Sequence, residues 1–253
     1  MTYLGYRDGD ADTPWGGFFD PEMAPLPPHV VTALEHGPQA DQTLLGFEDV
    51  ATILAPGYQQ TENGYGYLRR GGFQVSVCTD MPGVTTAMWD WWFGWHGSDS
   101  RRYKLWHPRA HVAARWADDG NGHWVGRTSL VEEYLGSAYT KAAIQFVAPT
   151  VLGLGETGDD LAVCARLGSG QVPVDIGWLV HHVRATAGGA EMRSRFWMGG
   201  PHIGVRGGNR LADSVIRPIA ARQLPEPRDL LVHCAQEMNH LAEFLPALYQ
   251  QFS

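Results

Sequence analysis

The spacing of apolar residues along this chain changes several times, and each change marks an element. Phe73, Val75 and Val77 in "GGFQVSVC" alternate with polar neighbours, the period of a half-buried strand. "RRYKLWHP", "HVAARWA" and "HWVGRTSLVEEYL" alternate in the same way, and "AAIQFVAPTVL" and "LAVCARL" read as further strands. The intervening "TTAMWDWWFGW" has helical density. A hairpin follows in "VDIGWLVHHVRATAGGAEMRSRFWM", with Gly188 and Gly189 near its turn. Beyond the loop "MGGPHIGVRGGN" lie helical "RLADSVIRPIAARQL" and a last helix from about Glu226 to Phe252, in which Leu230, Cys234, Met238, Leu241 and Leu245 form one apolar stripe. Many antiparallel strands before one long helix predict an α+β domain whose curved sheet wraps that helix, with a cavity between the two.

Residues 1–65 have a different texture. They are rich in Pro and Gly ("DPEMAPLPPHV", "APGYQQTENGYGY") and hold two short helical patterns, Val30 to Glu35 and Phe47 to Leu54. That is too little apolar surface for a separate core. We expect a small N-terminal subdomain, 1–65, that packs on the remainder or serves dimerisation, and a catalytic domain over 66–253.

Composition narrows the function classes. The 253 residues are 44% apolar and 18% charged, with 10 Trp, which suits a large aromatic-lined interior. A net charge of -8 and a pI near 5.7 leave no basic footprint for nucleic acid. No apolar run approaches the roughly 18 residues of a membrane span, and no basic segment leads into an apolar core at the N-terminus, so the expected location is cytoplasmic. Cys78, Cys164 and Cys234 are odd in number and set among apolar residues, which points to buried small hydrophobes rather than disulfides or a Cys-based metal site. "GLGETG" fits a dinucleotide fingerprint by letter only, since a strand rather than a helix follows it.

Candidate chemistry lies in two places. In the last helix His233, Glu237 and His240 follow one edge of the buried stripe, and residues four apart are stacked neighbours, so His233 and Glu237 can present donors to one point. In "WWFGWHGSDSRRYKLWHPRAH", His96, His107 and His111 sit among aromatics beside Tyr103. Neutral imidazole is the commonest metal ligand, although any one of these can equally be a hydrogen-bonded core residue.

"WWFGWHG", "RRYKLWHPRAH", "VEEYLG", "HHVRATAGGAEMRSRFWMGG" and "HCAQE" together resemble the 2,4-diacetylphloroglucinol hydrolase family, which is similar to phloretin hydrolase. The resemblance runs from about residue 65 to 250. It implies a Bet v 1-like helix-grip fold, a homodimer, and a Zn2+-dependent hydrolase that cleaves the carbon-carbon bond between an acyl group and a polyphenol ring, releasing acetate and the deacylated phenol. Carried over by position, it implies His111, Glu133, His233 and Glu237 as metal ligands. Glu132 competes with Glu133, because strand neighbours point to opposite faces and only one can reach the metal; the family motif sets its acid directly before the aromatic, here Tyr134. Tyr103 matches a phenol that holds the substrate, and His181 matches a strand histidine near the reacting acyl group. Phe196 has the parity to join the cavity face of His181. Glu133, His181 and Tyr103 are the expected catalytic groups, and "WDWWFGW" is expected to wall the cavity. The family's substrate-binding asparagine is missing, with Ala113 and Ala114 in its place. The rival function is a carrier of an apolar or aromatic ligand, or a hydrolase or cyclase of another polyketide; a carrier has no need for the four ligand positions to converge.

Overall fold

The computed structural model describes residues 5–120 and 122–253, so residues 1–4 of the N-terminal segment lie outside the described part. Nine strands among the described residues form one antiparallel sheet: β1 (Gly64–Tyr67), β2 (Phe73–Pro82), β3 (His111–Trp116), β4 (Thr128–Leu135), β5 (Ala138–Val147), β6 (Leu161–Ser169), β7 (Val174–Thr186), β8 (Gly189–Met198) and β9 (Gly204–Val205). Their order is β1-β2-β8-β7-β6-β5-β4-β3, with β9 paired to β7. Successive strands from β3 to β8 are neighbours in the sheet, and short turns join β4 to β5, β6 to β7 and β7 to β8; Leu179 faces Phe196 and Glu133 faces Thr140.

The helices are α1 (Pro28–His36), α2 (Thr86–Trp95), α3 (Ser100–Trp106), α4 (Arg210–Ala220) and α5 (Pro227–Phe252). Pro227 opens α5 at a position where its missing N–H costs nothing. One face of α5, with Leu231, Ala235, Met238, Leu241 and Leu245, meets the inner face of the sheet, where Val75, Val77, Val163, Leu179 and Met192 are buried. This is the helix-grip arrangement, an α+β fold in which alternating strand residues and the helix stripe share one core.

Three details depart from the sequence reading. "RRYKLWHP" is helical, not extended: the Asp99 carboxylate accepts from Arg101 N at 2.8 Å and starts α3, and the apparent alternation spans too few residues to outweigh that cap. The strand expected over "HWVGRTSLVEEYL" begins only at Thr128, because the Trp124 indole turns away to donate to the Asp90 carboxylate at 2.9 Å. His233, Glu237 and His240 lie not at a rim but in the interior, since α3 and the N-terminal segment cover that edge of α5.

The N-terminal segment clads the barrel-like sheet from outside. Val50 and Ile53, in a 3-10 helix over Phe47–Leu54, pack on Cys164, Val180 and Trp197 of the outer sheet face. Below them Glu62 lies between two buried guanidinium groups of β8, 2.6 Å from Arg193 and 2.5 Å from Arg195. On the other side Val30 of α1 joins the main core, and Phe18 packs on Phe244 and Phe252 of α5.

Candidate metal centre and cavity

A β-bulge decides which way His111 points. The pairing of β3 with β4 runs Ala114↔Val131 and Ala113↔Glu132, then slips by one residue so that His111 faces Glu133. Regular alternation would turn His111 outward when Ala114 is inward; the extra residue, Val112, brings both to the inner face. His111 is fully buried, its ring stacked on Tyr103 with centroids 3.7 Å apart.

His111 Nδ1 lies 2.9 Å from the Tyr103 carbonyl. A carbonyl only accepts, so Nδ1 carries the proton and Nε2 is left with its lone pair. That lone pair faces Nε2 of His233, 3.3 Å away, and the His233 ring in turn has a hydrogen bond to the Tyr134 backbone. Glu133 Oε2 lies 3.7 Å and 3.8 Å from the two Nε2 atoms, and Glu237 Oε2 lies 3.5 Å and 3.7 Å from them. Four zinc bonds of roughly 2.0–2.1 Å in a tetrahedron set neighbouring donors about 3.3–3.4 Å apart, close to these separations. One donor atom each from His111, Glu133 and His233 falls within 4.8 Å of the others, a group that can hold a metal ion. The donor set fits: two imidazoles and two carboxylates suit a borderline divalent cation, and a cation between the nitrogens answers the lone pair that His111 turns into a dry site.

Burial sets the charges here. It pushes His111 well below the ordinary imidazole range, helped by His233 and His107, and it also lowers His233, so both rings are neutral and ready to ligate. Burial raises the Glu237 carboxyl well above its usual range, and the charge of Glu133 adds to that. The Tyr103 phenol is raised likewise by burial and by Glu133, to which its hydroxyl donates. Glu132 points the other way, to Tyr139 and Lys141 on the outer surface.

Beside this group lies a cavity of about 240 Å³ between sheet and α5. Glu133, Glu237, His233 and Tyr103 form part of its wall, and His181 and Phe196 another. The His181 ring meets Phe196 edge-on at 5.8 Å and pairs through Nδ1 with Ser194 Oγ at 2.7 Å. Burial lowers its pKa to about 3, so the ring is neutral. The seven predicted positions thus border one cavity, apart from His111, which reaches it through its neighbours in the cluster.

The tryptophans of "WDWWFGW" do not wall the cavity as expected. Trp89 and Trp92 are wholly buried in core packing behind it, and from that stretch only Phe93 reaches the lining, because a helix offers one narrow face. His107 is a contributor that sequence reasoning left at a strand end: it caps α3 and stacks on His233 at 4.8 Å, bracing that ring. The His-Pro pair at the end of α3 was the available signal. Ala113 and Ala114 place no polar group on the cavity wall.

An antiparallel sheet gripping a terminal helix, an enclosed apolar cavity and a His/Glu group able to hold a metal ion define a helix-grip protein with a small-ligand chamber. Comparison with known proteins narrows the class. The model of the DAPG hydrolase PhiG domain matches residues 44–250. The chain is 32% identical to 2,4-diacetylphloroglucinol hydrolase of a Pseudomonas species, over 94% of this chain and 88% of that one, and 31% identical to the protein of the same name from Pseudomonas protegens, over 94% and 84%. It is 29% identical to phloretin hydrolase of Eubacterium ramulus, over 92% of this chain and 88% of that one. The chain belongs to the DAPG hydrolase family. Among solved structures it is similar to Ara h 8.0201 at 11% identity, with a TM-score of 0.36 over 67% of this chain and 99% of that one. No helix among the described residues is long and apolar enough to cross a membrane.

Proposed function

We propose that this protein is a zinc-dependent hydrolase that removes an acyl group from an acylated polyphenol such as 2,4-diacetylphloroglucinol by cleaving the carbon-carbon bond to the ring. The observation that carries this reading is the pair of Nε2 atoms of His111 and His233, 3.3 Å apart with two carboxylates beside them, at the wall of an apolar cavity. Family membership supports the substrate class.

An aryl ketone resists hydrolysis because the ring would leave as a carbanion. A 1,3,5-trihydroxy ring avoids this: in its keto form the ring carbon is tetrahedral and leaves as an enol. Overall one water is consumed; its OH joins the acyl carbon and its hydrogen joins the ring carbon as the carbon-carbon bond breaks. A divalent ion held by His111, Glu133, His233 and Glu237 would supply Lewis acidity and a water acidic near neutral pH. Tyr103 would hold a ring hydroxyl, with its own O–H oriented by Glu133. Glu133 or His181 would carry the proton to the ring carbon, and a neutral His181 can do so by accepting at one nitrogen while releasing at the other. Phe196, Val131 and Phe93 exclude competing water. The enzyme is read as a cytoplasmic homodimer.

The test measures zinc per chain together with acetate released from 2,4-diacetylphloroglucinol, for the native protein and for His233→Ala. Stoichiometric zinc and acetate release, both lost in the variant, are expected. A variant with full metal and full turnover would show the site to be wrong, and native zinc without acetate release would remove the substrate.

A further inference from the structure

Helix α4 carries apolar residues on two faces, and only one of them is packed. Ile216 and Ala220 face inward, where they meet Val174, Ile176 and Ile203. Leu211, Val215 and Ile219, each four residues from the next, form a second row along the outside, and they are 76%, 61% and 51% exposed. The Asn209 side chain caps the helix, accepting at 3.1 Å from the N–H groups of Leu211 and Ala212, so the row is already formed in the free protein. A surface helix ordinarily turns charged residues to solvent, and three large apolar side chains in one exposed row mark an interaction face.

The charges beside the row say what it meets. Residues 206–223 hold four arginines and one acid, in a chain of net charge -8. Arg210 and Arg217, seven apart, run along one flank of the row, and Arg222 lies at its end; all three are exposed. Arg206 is paired with Asp175 at 2.9 Å, whereas Arg210 and Arg222 have no ion-pair partner among the described residues. Arg217 donates from Nε to the Ile203 carbonyl at 3.1 Å, a neutral acceptor that leaves its charge uncancelled. The acid, Asp213, is turned inward and accepts from the Val205 N–H at 2.8 Å. Charges more than about 8 Å away are screened at physiological salt, so this local patch, not the acidic whole, is what a partner meets.

We propose that α4 docks this protein on the surface of a bilayer with anionic headgroups, setting Leu211, Val215 and Ile219 in the acyl boundary and Arg210, Arg217 and Arg222 at the level of the phosphates. A basic amphipathic helix lies in the membrane plane in this way without crossing it. Guanidinium groups suit phosphates, whereas a second copy of the face would set arginines against arginines in a two-fold contact. Position favours the lipid surface as well. α4 runs through the turn Ala221–Gln223 into Leu224 and Pro225, and Gln223, Leu224 and Pro225 line the cavity, so docking sets that edge of the chamber beside the layer into which apolar compounds partition. The docking does not rest on the hydrolase reading, and its test involves no turnover.

The experiment is cosedimentation of the full chain with vesicles of phosphatidylcholine alone or with about 30% phosphatidylglycerol, at low and at physiological salt. Native protein should bind the anionic vesicles at least about tenfold more strongly than the neutral ones, and less strongly as salt rises. Leu211→Ser combined with Ile219→Ser should weaken that binding about tenfold, and Arg210→Gln combined with Arg222→Gln about 25-fold, at about fivefold per charge. All four side chains are exposed, and thermal melts matching the native protein show that the variants are folded. Native protein that stays in the supernatant, or variants that sediment as native protein does, overturn the proposal. Self-association in analytical ultracentrifugation that Val215→Asp abolishes, with no binding to either vesicle, also overturns it and assigns the face to a second copy of the chain.

Discussion

Glu62 of the N-terminal segment holds Arg195 of β8 at 2.5 Å on the outer face of the sheet, with the guanidinium wholly buried. Because Arg193 shares the same carboxylate, removal of Glu62 strands two buried cations beneath residues 45–54. Glu62→Ala is expected to cost about 3–5 kcal/mol of unfolding free energy, read from urea denaturation, with loss of a protruding loop's worth of protease resistance in the N-terminal segment.

The same carboxylate predicts an acid limb. Burial alone would raise Glu62, but the Arg193 hydrogen bond and the Arg195 charge outweigh it and hold the carboxyl below its usual range. A depressed carboxyl contributes stability that is present above its unfolded value, near about 4.3, and is lost as pH falls through the folded value. Between pH 5 and 2, roughly, native protein should lose more stability than Glu62→Ala, and parallel melting curves would contradict this.

Metal uptake should release a proton. Burial and the charge of Glu133 hold the Glu237 carboxyl well above the usual carboxylate range, so metal-free protein keeps that proton to higher pH than an exposed Glu does, and the proton must leave for Glu237 to ligate, whereas the two neutral histidines need not change. A raised carboxyl gives stability present below its unfolded value and lost as pH rises through the folded one. Metal-free protein should therefore weaken as pH rises through the folded value of Glu237, and zinc should stabilise it more above that value than below it. Calorimetric titration with zinc in buffers of different ionisation enthalpy measures the proton directly.

Tyr103→Phe keeps the ring that stacks on His111 and removes only the hydroxyl that meets Glu133. Zinc content and melting temperature should change little, while kcat/KM for 2,4-diacetylphloroglucinol falls about 100-fold. Metal loss equal to the activity loss would assign the hydroxyl to the metal centre instead.

Ala142 lies on the inner face of β5 opposite Val131 and lines the cavity. Ala142→Leu fills empty space rather than displacing atoms, so stability should shift by less than about 1.5 kcal/mol. Substrate must still lose room, and kcat/KM is expected to drop at least about tenfold.

The hairpin of β7 and β8, the strands β2, β5 and β6 and the long α5 were legible because each shows its period over many residues. α3 was not, since seven residues hold barely two turns and their start is set by the Asp99 cap, a single side chain. The positions that gather into one cluster were legible through the motifs that carry them; alternation along β4 says that only one of Glu132 and Glu133 faces inward, and the family motif singled out Glu133. The depth of His233, Glu237 and His240 was hidden, because it depends on which distant segments fold over α5.

The slip in pairing at Val112 sets the phase of everything upstream of it. Pairing Val112 with Glu133 instead would restore an unbroken ladder and turn the His111 imidazole to the outer face, whereas deleting Val112 would remove only the surplus residue and leave His111 opposite Glu133 on the inner face. The phase of β3 is thus as much a part of this cluster's geometry as the donor atoms, and a one-residue shift in its pairing would undo the cluster with none of the four side chains changed.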